Sequence, residues 1–205
     1  MDDRRRASVL LATENQGKVD EFRRLLPSII QVVSLVALQL ELPPEIGSTF
    51  EEIARQKAEV ASSKSGMLAL ADDSGLEVDA LGRSPGIYSA RYSGEPVDPA
   101  RNRSKLLADM AGVPPAKRSA RFRCSVALAF DGLVLATSEG AIEGSIALAE
   151  RGSFGFGYDS LFLLPDGRTL AEIPPEGKNL ISHRALAFRG ILPSLLEALA
   201  QPAHS

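Results

Sequence analysis

Apolar residues change their period several times along the chain, and each change predicts an element. Residues 7–13, Ala-Ser-Val-Leu-Leu-Ala-Thr, form a near-continuous apolar run of strand length, after which Val19, Phe22, Leu25 and Leu26 recur at helical spacing until Pro27. Residues 29–35 read as a second apolar strand. Ser48 with Glu51, or Thr49 with Glu52, fits a capping box, and the helix it opens is predicted to end near Ser65, before Gly66. Met67-Leu-Ala-Leu-Ala71 predicts a buried strand that stops at a turn, Asp72-Asp73-Ser74-Gly75, with a short strand over 76–80 beyond it. Gly82, Pro85, Gly86 and Gly94 punctuate a loop region, and a helix is predicted over 99–110. Residues 119–130 alternate, with Phe122, Cys124, Val126, Leu128 and Phe130 on one face, and Asp131-Gly132 joins them to another apolar run as a tight hairpin. A second Asp-Gly, at 166 and 167, joins 160–164 to 168–173. The last helix starts near Ser182, carries Leu186, Leu192, Leu195, Leu196 and Leu199, and is kinked or restarted by Pro193. Strand-helix units early and hairpins late predict an α/β fold, a mixed sheet flanked by helices. No linker divides residues 1–205, which read as one domain with a short polar tail near 201–205.

At 205 residues, 44% hydrophobic and 24% charged, the chain is long enough for a sizeable core and reads as a soluble globular protein. No apolar run approaches a membrane span. Met1-Asp2-Asp3-Arg4-Arg5-Arg6 leads into a strand rather than a signal-peptide apolar region, so a cytoplasmic home is expected. The single cysteine excludes an internal disulfide, and the strand pattern assigns Cys124 to core packing. Only two histidines exist and one, His204, sits in the polar tail; any metal is therefore expected on oxygen ligands, with magnesium the natural candidate. A net charge of -3, with 5% aromatic residues and no tryptophan, argues against a nucleic-acid polymer as ligand and leaves a single nucleotide open.

The candidate chemistry begins at Asp72-Asp73, because adjacent acids repel unless a proton or a cation is shared between them. The same four residues also make an ordinary solvated turn. Thr13-Glu14-Asn15-Gln16-Gly17-Lys18 joins the first strand to the first helix, where backbone N–H groups and the positive helix end favour a phosphate, although helix capping alone accounts for such a segment too. It is not a P-loop, since Ala12 stands where a glycine is required and Val19 where a Ser or Thr is. Lys57 shares a helical stripe with Ile53, Ala54 and Ala61, so it either snorkels to solvent or meets an anion. Glu45 is a loop acid with no evident structural task. Gly152-Ser-Phe-Gly-Phe-Gly-Tyr-Asp159 leaves backbone open to close approach and supplies ring faces, as ordinary tight corners also do. Ser182-His183-Arg184 places basic side chains in the first turn of the last helix, where the dipole disfavours them, which suggests an anionic or carbonyl-bearing partner; Lys178 adds a donor. With Cys124 in the core and His183 the one credible base, covalent nucleophilic catalysis is not expected.

Taken together these segments resemble the inosine triphosphate pyrophosphatase family, in blocks that run in order through nearly the whole chain: 11–18, 50–58, 71–80, 85–94, 155–159 and 181–184. The resemblance implies an elongated mixed α/β fold with two lobes around a central nucleotide-binding cleft, usually a homodimer. It implies Mg2+-dependent hydrolysis of non-standard purine nucleoside triphosphates (ITP, dITP, XTP) to the monophosphate and pyrophosphate. Thr13, Asn15 and Lys18 match the phosphate loop that also holds Glu14, Gln16 and Gly17, and Lys57 matches the lysine that reaches the phosphates. Glu45 and Asp73, with Asp72 beside them, match magnesium positions. Asp73 is also the implied general base and Ser74 a substrate contact. Phe156, Gly157, Tyr158 and Asp159 match the base pocket, Phe156 being the ring that stacks on the purine, and Lys178, His183 and Arg184 match the other nucleotide contacts. Glu14 replaces a commoner glycine, Ile53 a commoner asparagine and Ser160 the usual proline; Glu14 is expected to weaken phosphate binding and Ser160 to loosen its corner. A magnesium-dependent phosphomonoesterase and a non-catalytic nucleotide sensor remain the competing readings.

Overall fold

The computed structural model describes residues 7–200, so the basic lead Met1 to Arg6, the tail near 201–205 and His204 lie outside the described residues. Along the chain come β1 (Ser8–Leu11), α1 (Gln16–Leu25), β2 (Gln31–Ser34), α2 (Phe50–Ser65), β3 (Ala69–Val78), α3 (Pro99–Asp109), β4 (Ser119–Phe130), β5 (Leu133–Ile146), β6 (Phe162–Leu163), α4 (Pro175–Ile181) and α5 (His183–Ala200). The strands form one sheet in the order β2-β1-β3-β4-β5-β6. β1 is parallel to both its neighbours, Leu10 pairing with Val33 and with Ala69, whereas β6 is antiparallel to β5 through Ile146 and Phe162. The mixed α/β sheet expected from the sequence is the one that forms. Parallel neighbours require helical crossovers and antiparallel ones only a tight turn, which is the order in which the chain supplies them. Among the described residues no helix is long and apolar enough to cross a membrane.

Three local expectations are corrected and one helix is added. The chain does not turn at Asp72-Asp73-Ser74-Gly75: β3 runs through all four residues to Val78, with Asp72 buried on Lys18 and Asp73 buried within the field of Lys18 and Lys57. The second hairpin shrinks to β6 and one bridge, Leu163 to Thr169, after which Leu170–Glu172 closes into a 3-10 turn capped by Thr169 and Glu172. Seven residues before the last helix, Pro175–Ile181, form a helix of their own. On β4 the alternation lapses, with Ser125 to Ala129 buried on both faces and Phe130 left 44% exposed.

The chain divides into two compact units. The first holds the described residues up to Asp73, Ser125–Glu139, and those from Leu186 onward. Its core is unusually small-grained: Ala54, Ala58 and Ala61 of α2 lie with Ala69, Ala71, Ala127 and Ala129 of the strands. Alanine faces let a helix backbone lie close to a sheet, so the stem of Lys57, on that same stripe, is buried. Thr49 rather than Ser48 caps α2, in a reciprocal box with Glu52. The β4–β5 hairpin places both Asp131 (φ 49°) and Gly132 (φ 75°) in the left-handed region that a two-residue turn of this hand needs.

The second unit holds Ser74–Cys124 and Gly140–Ala185. Its core gathers larger side chains, including Leu76, Leu106, Met110, Phe122, Tyr158 and Phe162. The boundary between units falls inside β3, between Asp73 and Ser74, and consecutive residues of one strand therefore belong to different units.

Candidate active site

In the first unit, the β1–α1 connection is organised by its own polar side chains. Asn15 caps α1, its side-chain oxygen accepting from the Lys18 backbone N–H at 3.2 Å, while the Asn15 N–H donates to Thr13 Oγ1 at 3.3 Å. Gln16 turns along the helix to Asp20 at 2.7 Å. Glu14, Asn15 and Gln16 are exposed and Gly17 half-buried, so the first-turn N–H groups of Gln16 and Gly17, ahead of the one the cap takes, stand towards a ligand. Lys18, bound through its backbone to the cap, sends its Nζ to Asp72 Oδ2 at 3.0 Å. Lys57 reaches the same strand from α2, donating to the Asp72 backbone oxygen at 2.8 Å and to Glu45 Oε1 at 3.3 Å. The two lysines singled out in the sequence thus contact two of the three acids singled out with them, Asp72 and Glu45, and act on Asp73 through their charge alone.

Asp73 is the electrostatic oddity of the set. It is 7% exposed and its Oδ2 is buried with no hydrogen-bond partner. Burial raises its carboxyl from an ordinary 3.8 to about 6; Lys18 and Lys57 pull it down, and Glu45 and Asp72 push it further up. A carboxyl tuned close to neutrality, with an oxygen aimed at nothing, suits proton transfer or a cation. Among the described residues no three His, Cys, Asp or Glu side chains stand grouped to hold a metal by themselves, Glu45 being turned to Lys57 and Asp72 to Lys18.

The second unit carries the rest. Asp159 accepts from the Phe156 N–H at 2.9 Å and pairs with Lys178 Nζ at 2.6 Å, both side chains being buried. Gly155 (φ 76°) is obligatory here, since a Cβ on it would lie 2.1 Å from Asp159 Oδ2. Lys178 Nζ lies 4.9 Å and Arg184 Cζ 5.8 Å from the centroid of the Phe156 ring. Arg184, almost wholly buried, donates to Ser74 Oγ at 2.8 Å. His183 stacks flat on Phe122 at 4.8 Å, and Ser182 caps α5 by accepting from the Ala185 N–H. Tyr158 points elsewhere, its hydroxyl donating to the Ser89 carbonyl at 2.8 Å. Ser160, which stands where the family usually has proline, donates its hydroxyl to Glu150 at 2.8 Å.

The sequence reading passed over Asn102, which donates to the Ala90 carbonyl and accepts from Ser93, fixing the loop around Ser89. The signal was available. Asn102, Leu106 and Met110 recur at i, i+4 and i+8, so an amide stands in the buried stripe of α3 where only a satisfied polar group is tolerated.

Comparison with known proteins gives a consistent picture. The model of the Ham1 family matches residues 9–194. A dITP/XTP pyrophosphatase of Bacillus licheniformis is 48% identical over 195 residues, covering 93% of this chain and 98% of its own. The protein of the same designation in Bacillus subtilis is 45% identical over 192 residues, covering 92% and 96%. Among solved structures, a HAM1 protein from Coxiella burnetii superposes with a TM-score of 0.83 at 38% identity, covering 93% of this chain and 99% of that one. The Ham1 protein of Staphylococcus aureus gives 0.80 at 37%, covering 93% and 98%.

Proposed function

Since the chain belongs to the Ham1 family, we propose that it hydrolyses non-standard purine nucleoside triphosphates, ITP, dITP and XTP, releasing the nucleoside monophosphate and pyrophosphate. The designation dITP/XTP pyrophosphatase carried by relatives at 48% and 50% identity supports this reaction. The observation that carries it at the level of residues is Asp73, a buried carboxyl held at about 6 beside Lys18 and Lys57.

The phosphates go to Thr13 through Lys18 and to Lys57. Both lysines already hold carboxylates, so a triphosphate replaces one anionic partner by another without stranding a buried cation. Lys18 and Lys57 then take up the charge that grows on the departing pyrophosphate. Asp73, ionised at neutral pH yet basic enough to accept a proton, orients and deprotonates the water that attacks the α-phosphorus. The donor set fits Mg2+, since it consists of oxygens, includes the unpartnered Asp73 Oδ2, and Mg2+ needs only one or two protein carboxylates beside phosphate oxygens and water. Asp73 and Glu45, with Asp72 beside them, would hold it, and when bound it would neutralise negative charge on the phosphate oxygens.

The base goes to the second unit's residues. Phe156 supplies the stacking face, with Gly157, Asp159 and Lys178 around it. Ser74, His183 and Arg184 supply polar contacts that favour the 6-carbonyl of hypoxanthine and xanthine over the amine of adenine. Unmatched buried donors cost about 1–3 kcal/mol each, enough to separate dITP from dATP. A homodimer in the cytoplasm, acting on free nucleotides rather than on nucleic acid or membrane, completes the reading. Purified protein with Mg2+ and ITP, XTP, dITP, ATP and GTP in turn, assayed separately for pyrophosphate and orthophosphate, tests it. Pyrophosphate from the first three alone is expected. Orthophosphate would replace the proposal by a phosphomonoesterase, and nucleotide binding without product by a sensor.

A further inference from the structure

The loop that presents Phe156 is undercut. A cavity of about 190 Å³ lies against it, bordered by Arg103, Glu150, Phe154, Gly155, Phe156 and Ser160. Glycines at 155 and 157 give the backbone freedom, so packing alone does not fix where the ring stands. Asp159 holds the Phe156 N–H, and hydrogen bonds from α3 hold the residues that follow it. Arg103 donates from Nη1 to the Gly157 carbonyl at 3.1 Å, and its Nε is held by Glu150 Oε2 at 2.7 Å, the same oxygen that accepts from Ser160. One residue earlier, Asn102 grips the Ala90 carbonyl, and the neighbouring Ser89 carbonyl accepts from Tyr158. Consecutive side chains of one helix therefore reach residues 157 and 158, directly after the ring, by two independent routes.

We propose that Arg103 is a positioning residue for base recognition: fixed by Glu150 and Ser160, it holds the Gly157 carbonyl and so sets the place of the Phe156 ring against the purine. The proposal rests on the reading of Phe156 as the base-stacking residue. It also assigns Tyr158 a supporting role, its hydroxyl being spent on Ser89. Ser160 acquires a purpose as well, since a residue without a hydroxyl there would leave Glu150 with one donor fewer. The partners of Arg103 are Glu150 and the Gly157 carbonyl, beside the base-stacking ring, so its influence is expected on binding of the base and not on the chemical step.

The test is steady-state kinetics of Arg103→Met on dITP and XTP with Mg2+, beside inorganic triphosphate as a competitive inhibitor. Losing a charge-assisted hydrogen bond to a loop carbonyl should raise KM about tenfold with kcat within about twofold. The inhibition constant of triphosphate, which has no base, should not move. In a Phe156→Ala background the same substitution should change KM less than about twofold, because the ring it positions is gone. Lys105→Met, on the same helix but paired only with Asp109 and Tyr92, is the control and should match the wild type. Should Arg103→Met fail to fold, Tyr158→Phe removes one hydroxyl from the second route and should raise KM about threefold in the same base-dependent way. An unchanged KM, a loss confined to kcat, or a full effect without Phe156 overturns the proposal while leaving the pyrophosphatase reading intact. A wild type that hydrolyses neither dITP nor XTP overturns that reading, and the inference falls with it.

Discussion

Asp73→Asn should abolish turnover and at the same time make the metal-free protein more stable, and the second effect can be sized from the structure. Burial raises the carboxyl from 3.8 to about 6 even against the pull of Lys18 and Lys57. Below about pH 4 both the folded and the unfolded chain carry a protonated Asp73, and the group contributes nothing to stability. Between about pH 4 and 6 the unfolded chain has lost the proton and the folded one has kept it, so stability falls as pH rises. Above about pH 6 the folded state holds an ionised buried carboxylate at a cost of about 3 kcal/mol. Asparagine fills the same space and never ionises. Allowing about 1 kcal/mol for an amide that fits the surroundings imperfectly leaves a gain of about 2 kcal/mol. In a chain of this length that moves the melting temperature by about 4–8 °C. Calorimetry in a chelator should show the gain at about pH 8 and show it gone or reversed at about pH 4. Added Mg2+ should stabilise the wild type and not the variant. An Asn variant that melts with or below the wild type at pH 8, or that gains equally at pH 4, would refute this account of Asp73.

Three further outcomes follow from the same geometry. Lys57→Met removes the donor to the Asp72 carbonyl and to Glu45, and single-turnover rates should fall by about 10²–10³ as its charge is lost from the developing pyrophosphate. The acid limb of kcat/KM should break near the raised carboxyl, about 6. It should move to lower pH as Mg2+ is increased, because a bound cation favours the ionised form; a limb indifferent to metal would remove Asp73 as the base. Asp159→Asn removes the carboxylate that pairs with the buried Lys178 ammonium at 2.6 Å, and urea titration should register a loss of about 3–5 kcal/mol.

The fold was legible wherever a local rule and the tertiary environment agree. The change from helical to alternating spacing located α1, α2, α3 and the β4–β5 hairpin, Gly66 marked the end of α2, and the two overlapping boxes left its start open by one residue, which the structure assigns to Thr49 and Glu52. The site was legible as residue types and as a family pattern, because Lys57 in an apolar stripe and two adjacent acids are costly without a purpose. Support was not legible. Arg103 looks like any exposed-face arginine of α3 until the glycine-rich loop is seen to lean on it over a cavity. Tyr158 looks like part of an aromatic base pocket until its hydroxyl is found on Ser89. Contacts between residues 54 and 69 positions apart leave no periodic trace in a single sequence.

Asp72-Asp73-Ser74-Gly75 was read as a turn because local chemistry favours one, and the difference matters for mechanism. A turn would let both carboxylates converge on one cation. A strand sends successive side chains to opposite faces, so the two acids have separate tasks. Asp72, with no exposed surface, takes Lys18 at 3.0 Å, while Asp73 is in no ion pair and has a raised carboxyl. On this division the proposed reading gives Asp72 the task of holding Lys18 and Asp73 that of acting on the substrate. Asp72→Asn should then lower kcat/KM by an amount that nearly vanishes once Lys18→Met is already in place, a coupling of about 1–3 kcal/mol between the two positions. Asp73→Asn combined with Lys18→Met should instead lose the contribution of each. Additive losses for Asp72 and Lys18 would mean that Asp72 meets the cation itself, and that the two aspartates share a task despite lying on opposite faces of β3.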